Sequence, residues 1–490
     1  MLRTLSLLSF TLLSLAMFAA DRDASERLIQ EALKPSPLES NLRRLTDEIG
    51  GRVPGTPAMQ RAVDWGMAAF TDAGADSVHT EEFSIPHSWA EGATSVLANT
   101  YAGRPFLVRA VSIAWAPALP EAKHVPILDV GDGTESGFAR AGDISGKLVL
   151  VHTKVLASWD DLFWEYEQAS PVIALAVKGK AKAIAFLATR ENDILYRHTN
   201  AVAGEIDRLP MVIVAREDGQ RIARLLAAGN PMWADLSIPN KIGGEIKTWN
   251  VVAEIRGSEK PDEFVVLGAH LDSWELGTGA LDNGCNAALV VDALRAIKAS
   301  GLKPRRSIRF ILFSGEEEGL MGSRAYAVAH RNELDKAAGV IIFDSGTGKT
   351  TGFSTGGRKD TVATAAALVA PLEPFGAAKL TPTAESGTDH FDFMLEGVPT
   401  FVADQEEANY LVNYHATSDT FDKVDLQQLK KHVAEAAVFT FGLADAAERV
   451  GPRLTRAEIE QTMRESHLDQ QLKAMEMWED WANGTRGRKK

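Results

Sequence analysis

The sequence predicts an α/β protein: a mainly parallel, twisted sheet covered by helices on both faces, with a β-rich segment inserted into it. Three observations carry that expectation. From Thr248 onward, apolar strand-like runs alternate with helical patterns, which is how a parallel sheet is built through crossovers. Between 118 and 239 the texture changes to short strands punctuated by glycine. The strand-like runs within 264–319 end in acids or histidine, at the carboxyl edge where open α/β sheets bind ligands.

Taken in order, residues 1–20 read as a secretory signal: Arg3 supplies the charge, 5–18 is mostly apolar, and Ala19-Ala20 precedes Asp21. The expectation is export, to a secreted or periplasmic location. Met17 or Phe18 stands where a small residue is usual before cleavage, so an uncleaved anchor is the alternative. No second run of about eighteen apolar residues follows, and no membrane association is expected once the signal is removed. Helical spacing covers 25–49 (Leu28, Ile29, Leu33, then Leu42, Leu45, Ile49), a glycine- and proline-rich loop follows at 50–57, then a helix over 58–73 and a strand over 77–85.

Residues 118–239 offer strands within 146–154, 179–189 and 209–219 and few clustered acids or histidines, so this segment is expected to lie outside the site. His124, His152 and His198 read as surface or packing residues. The main domain, 21–117 with 240–450, resumes with strands at 251–255, 264–269, 308–313, 340–343 and 400–403, and helices at 283–299, 323–331, 361–372 and 426–449. The remaining 451–490 is a helical extension whose Met475, Met477, Trp478 and Trp481 are expected to dock on the body. Arg486, Arg488, Lys489 and Lys490 read as a solvated end.

The chain has 490 residues, ordinary apolar content and a net charge of −14, which excludes nucleic acid or an anionic membrane as the main partner. Cys285 is the single cysteine, so neither a disulfide framework nor a multi-cysteine metal site exists; it reads as a small buried helix residue.

His270, Asp282, Glu317, Asp344 and His415 each follow a strand or sit in a loop beyond one, so residues far apart in sequence can meet at one sheet edge. These are side chains that zinc accepts, and a carboxylate able to bridge suits a two-metal site. Asp272 is placed to hold the His270 imidazole in the tautomer that leaves its other nitrogen for metal. Glu316 and Glu317 are adjacent and must point apart, so one can bind metal while its neighbour faces water as a base. The competing reading makes EEEG a solvated acidic turn at a helix start. The company of five other acids and histidines at matching loop positions favours the site.

The strings GAHLDSWELGTGALDNG, SGEEEGLMGS, IIFDSG and NYHATSDT resemble those of the co-catalytic dizinc exopeptidases, the bacterial leucyl aminopeptidase and plasma glutamate carboxypeptidase type. HLDSW followed by the glycines and Asp282, with GLKPRR before the next strand, is most similar to the plasma glutamate carboxypeptidase branch. Resemblance spans about 42–450, and 118–239 is similar to the protease-associated domain that some members insert. It implies two zinc ions per chain: His270 and Asp344 on one, Glu317 and His415 on the other, Asp282 bridging, Glu316 the general base. It also implies a cis peptide after Asp282. Gly284-Cys285-Asn286-Ala287 departs from the small-residue stretch usual there. Gly387-Thr388-Asp389-His390-Phe391 matches a segment near the substrate pocket, where His390 either touches substrate or braces the loop.

The function expected is an exported metallo-exopeptidase acting on small peptides. A glutaminyl cyclase type of acyltransferase on the same frame, with a single zinc, and a non-catalytic receptor-like relative are the alternatives. Which terminus is cut stays open, with Arg324, Arg358, Tyr410 and Tyr414 as candidates for binding a free carboxylate. Oligomeric state is open too, a homodimer included.

Overall fold

Uninterrupted Val, Ile, Leu and Phe within 264–269 and 308–313 suit strands buried on both faces, and in the computed structural model these strands form the middle of an eight-stranded sheet. Residues 23–100, 104–201 and 203–489 are described; the leader expected at 1–20 lies outside them. Across the sheet the strands run Ser77–Ile85, Ile246–Ile255, Arg306–Phe313, Lys260–His270, Ala337–Ile342, Thr400–Gln405, Thr350–Ser354 and Leu380–Thr381. Lys260–His270 pairs in parallel with Arg306–Phe313 and Ala337–Ile342, and the latter with Thr400–Gln405. Antiparallel pairs flank this parallel centre on both sides.

Both faces are covered. The helices Pro57–Asp72, Cys285–Ser300 and Leu426–Asp445 bury Phe70, Leu289 and Val433 with Leu267 and Phe310 in the largest core cluster. On the other face Tyr326, Phe393 and Val398 pack on Val266, Ile311 and Ile342. Cys285–Ser300 is apolar almost all round, as its sandwiched position requires, and Gly301 ends it at φ 70°, a left-handed turn glycine adopts without strain. Cys285 is buried there, its thiol donating to the Leu281 carbonyl, and burial holds its pKa well above the ordinary thiol value.

A second eight-stranded sheet runs Phe106–Val108, Ser95–Thr100, Met232–Ile238, Leu119–Asp129, Leu148–Val151, Ala183–Leu187, Met211–Val214 and Ala110–Ser112. Three of these strands lie upstream of 118, so this second sheet reaches back to about 95. Their signal is weak because each is short and partly exposed. This unit also holds the 20-residue helix Trp159–Lys178, which Pro171 in its interior obscures in the sequence. Ser158 caps it, accepting from the Asp161 N–H.

The C-terminal helices Arg456–Glu465, Leu468–Ala474 and Trp478–Asn483 start with a Thr455/Glu458 capping box and bury Leu468, Leu472 and Trp481 against Leu320, Phe391 and Leu395. Arg486 and Arg488 are not solvated as expected, whereas Lys489 is exposed and Lys490 lies outside the described residues. Arg486 is buried and donates to both oxygens of Asp392 at 2.8 and 2.6 Å, and Arg488 donates to the Leu454 carbonyl. Among the described residues no helix is long and apolar enough to cross a membrane.

Candidate metal centre

The parallel strands deliver their last residues to one edge. His270 ends Lys260–His270, Glu316 and Glu317 follow Arg306–Phe313, and Asp344 follows Ala337–Ile342. Asp282 sits in the turn that starts the Cys285–Ser300 helix, and the Asp282–Asn283 peptide is cis. His415 comes from the loop after Thr400–Gln405, at φ 59°.

All five residues converge in two donor sets that share Asp282. In one, His270 Nε2 lies 3.1 Å from Asp282 Oδ1 and 3.1 Å from Asp344 Oδ1. In the other, His415 Nε2 lies 3.2 Å from Asp282 Oδ2 and 2.8 Å from Glu317 Oε2. Ligands held about 2.0–2.1 Å from a tetrahedral zinc lie about 3.3 Å apart, so both sets are spaced as the edges of such a polyhedron. Asp282 directs one oxygen to each set, the geometry of a bridge.

Charge fits a cation as well. Asp272, Asp282, Glu316, Glu317, Glu318, Asp344 and Asp389 crowd around two histidines and the buried Arg52. Glu318 and Asp389 find no hydrogen-bond partner for either carboxylate oxygen among the described residues. Burial pushes the pKa of Glu317 well above the ordinary carboxylate value, with Asp282 adding to it, and burial likewise raises Asp344 and Asp272. For Asp282 burial acts the same way but is outweighed by hydrogen bonds from His270 and His415, so its pKa falls. His415 is shifted down by burial. His270 is shifted up, because Asp344 and Asp282 outweigh burial. An excess of buried negative charge is what divalent cations neutralise.

Both acids of the doublet line a cavity of about 490 Å³; Glu317 is buried in its donor set and Glu316 is half-buried. Burial raises the Glu316 pKa well above the ordinary value; His270 opposes this, and Asp344, Glu317 and Asp389 add to it. Asp272 makes two contacts. Its backbone carbonyl, 3.0 Å from His270 Nδ1, holds the imidazole, while its carboxylate accepts the Glu317 N–H at 3.1 Å. His390 does not line the cavity: its ring is fully buried, Nε2 meets the Glu385 carbonyl at 3.1 Å, and burial lowers its pKa to about 4. It braces the 385–388 loop, whose residues do line the cavity.

Two supporting residues escape a sequence reading. Arg52, from the loop after the first helices, donates to the carbonyls of Leu271, Thr278 and Gly279 at 2.6 to 2.8 Å and fixes the loop between His270 and Asp282; burial lowers its pKa to about 10. Asp419 accepts the N–H groups of Ala280, Leu281 and Asp282 at 3.1, 2.7 and 3.2 Å. Asp419 lies within NYHATSDT, but its partners are backbone groups, which leave no trace in a sequence.

The 118–239 segment is part of the cavity, contrary to expectation. Trp159, Phe163, Tyr166 and Asn200 line it, and so do Met475 and Met477 from the C-terminal extension. His198 is buried 3.5 Å from Glu165, and His152 pairs with Asp129 at 3.0 Å, both packing roles. Of the candidates for a free carboxylate, Arg358 is held by Asp360 and the Pro452 carbonyl away from the cavity, while Arg324, Tyr410 and Tyr414 line it.

A hydrolytic site on this sheet edge, with paired nitrogen and carboxylate donors beside a free glutamate, marks a metallo-exopeptidase. Residues 250–440 match the profile of peptidase family M28. The chain is 28% identical to carboxypeptidase Q of Rattus norvegicus over 407 residues, 82% of this chain and 84% of the relative. It is 26% identical to aminopeptidase YwaD of Bacillus subtilis (strain 168) over 415 residues, 82% and 83% of the two chains. A peptidase M28 precursor from Shewanella amazonensis SB2B superposes with a TM-score of 0.81 at 26% identity, covering 89% of this chain and all of that one. The Bacillus subtilis zinc aminopeptidase BSAP shares the fold at a TM-score of 0.64 and 21% identity, over 85% of this chain and 97% of its own.

Proposed function

We propose that the protein is an exported dizinc exopeptidase that releases a terminal residue from small peptides. His270 and Asp344 hold one zinc, Glu317 and His415 the other, and Asp282 bridges them. The observation that carries the reading is the split of the Asp282 carboxylate, one oxygen toward each histidine at 3.1 and 3.2 Å, beside a Glu316 that faces the cavity. The zinc named for BSAP and the peptidase activities named for the relatives support it. The leader-like 1–20 supports export, and the second sheet is assigned to a protease-associated insertion.

When bound, the two ions would polarise the scissile carbonyl and acidify a water. Glu316 takes a proton from the attacking water as the new C–O bond forms, and delivers it to the amine nitrogen as the C–N bond breaks. Tyr410 and Tyr414 line the same cavity and limit its exposure to bulk water. Two complete donor sets favour the peptidase over a single-zinc acyltransferase.

Glu316→Gln keeps the shape of the side chain and all five ligands. Turnover is expected to fall by about 10²-fold or more, while elemental analysis still finds close to two zinc per chain. Unchanged turnover would remove Glu316 from its role, and a metal content near zero in the unaltered protein would overturn the dizinc reading.

A further inference from the structure

We propose that residues 190–198 of the inserted unit build half of the site for the ion held by Glu317 and His415, with Arg190 as the positioning residue for His415. The inference rests on the dizinc reading and goes beyond it, because it makes the insertion a requirement of one ion and not of the other.

The two histidines are supported differently. His270 ends a strand of the central sheet and its Nδ1 is held 3.0 Å from the Asp272 carbonyl, the usual way a ligating imidazole is fixed. His415 has no such anchor: its Nδ1 finds no hydrogen-bond partner among the described residues. It also sits at φ 59°, a left-handed conformation that a non-glycine residue keeps only when its surroundings impose it.

What imposes it comes from the insertion. The Arg197 N–H donates to the His415 carbonyl at 2.9 Å, and the Thr417 N–H to the Leu195 carbonyl at 2.9 Å. Tyr196 and Ala416 thereby form an isolated antiparallel bridge. Arg190 Nη2 donates to the Tyr414 carbonyl at 2.8 Å, one peptide unit before the histidine. The guanidinium is buried, lies 3.9 Å from the Tyr196 ring centre, and stands 3.7 Å from Glu165 on the Trp159–Lys178 helix. Tyr414 in turn stacks on the His415 ring at 3.6 Å, and its hydroxyl meets that of Tyr166, on the same helix, at 3.2 Å. Arg190 therefore ties the helix, the Tyr196 bridge and the backbone of the ligand loop into one unit. Among the described residues, nothing from 190–198 touches the His270 and Asp344 set by hydrogen bond or ion pair.

The test is a zinc titration of the full-length, metal-stripped protein against a chelating dye, which reads both affinities without activity. Arg190→Met is expected to weaken one ion about tenfold or more, the scale typical of lost support around a ligand, and to leave the other unchanged. In a His415→Ala background the same substitution should have no further effect on the remaining ion. Arg190→Lys keeps the cation over Tyr196 but loses the reach to Tyr414; it is expected to show the same selective weakening, and it decides the matter if Arg190→Met does not fold. Equal affinities in the variants and the unaltered protein, or equal weakening of both ions, would overturn the inference while the dizinc reading stands. An unaltered chain that takes up fewer than two ions would overturn both.

Discussion

At the scale of single residues, the proposed ligands are legible in the sequence because they are metal-binding types at strand ends or in the loops beyond them, as His270, Glu317 and Asp344 are. Asp419 is not legible, although it lies four residues beyond His415, because what it does is accept three backbone N–H groups of the turn that carries Asp282. Asp272 is legible beside His270 by its spacing, but only coordinates assign the contact to its carbonyl. Asp419→Asn substitutes an amide that donates where a carboxylate accepted, leaving at least one of the three buried N–H groups without an acceptor. Each such loss costs about 1–3 kcal/mol. Urea unfolding of the metal-free variant should therefore show a stability lower by about that amount with an unchanged slope. A variant as stable as the unaltered protein would show that Asp419 does not hold the turn.

At the scale of elements, strands buried on both faces announce themselves: 264–269 and 308–313 fall within observed strands. Short strands such as Phe106–Val108 carry too few alternations to be read, and Pro171 hides the Trp159–Lys178 helix that brings Tyr166 to the cavity. Attachments between elements are also invisible, and one of them titrates. His330, just past Met321–Ala329, stacks on Tyr326 and meets Glu81 of the edge strand at 2.9 Å, with Glu333 on its other nitrogen. Burial pulls the His330 pKa down, but Glu81 and then Glu333 outweigh it and the net shift is upward. Glu81 and Glu333 are correspondingly lowered against burial, by His330 for Glu81 and chiefly by Arg309 for Glu333. A raised histidine stabilises fully below its unfolded value of about 6.5, and that stabilisation is lost as pH rises through the folded value. The two glutamates act in the opposite sense, contributing above about pH 4.5 and losing it as pH falls through their lowered values. His330→Gln should therefore lower the unfolding midpoint most near pH 6 and least near pH 9. Thermal melts of both proteins across that range check it, and a pH-independent difference would show that the ion pairs add nothing.

At the scale of the whole molecule, three parts of the chain that are far apart in sequence enclose one cavity. The sheet edge supplies the donor sets, the inserted unit supplies Trp159, Phe163 and Tyr166, and the C-terminal extension supplies Met475 and Met477. The sequence leads one to expect this extension to dock on the body. It does so through Trp481 and the Arg486–Asp392 pair, but Arg324 on the main domain also reaches Asp480 at 3.1 Å, which draws the extension to the rim. A cavity of about 490 Å³ lies within the range of small-ligand sites, about 300–1,000 Å³, and walls on several sides leave little room for chain beyond the residues flanking the scissile bond. Under the proposed activity, kcat/KM should fall by about tenfold or more from dipeptides to hexapeptides, equivalent to about 1.4 kcal/mol of transition-state binding. The double variant Met475→Ala, Met477→Ala shortens the wall, at some loss of Met477 packing, and leaves the Trp481 anchor in place. It should recover part of the loss on hexapeptides while changing dipeptide turnover little. Kinetics on a length series with both proteins decides this: a flat dependence on length, or a loss on hexapeptides that the double variant does not ease, would show that the extension does not set substrate size.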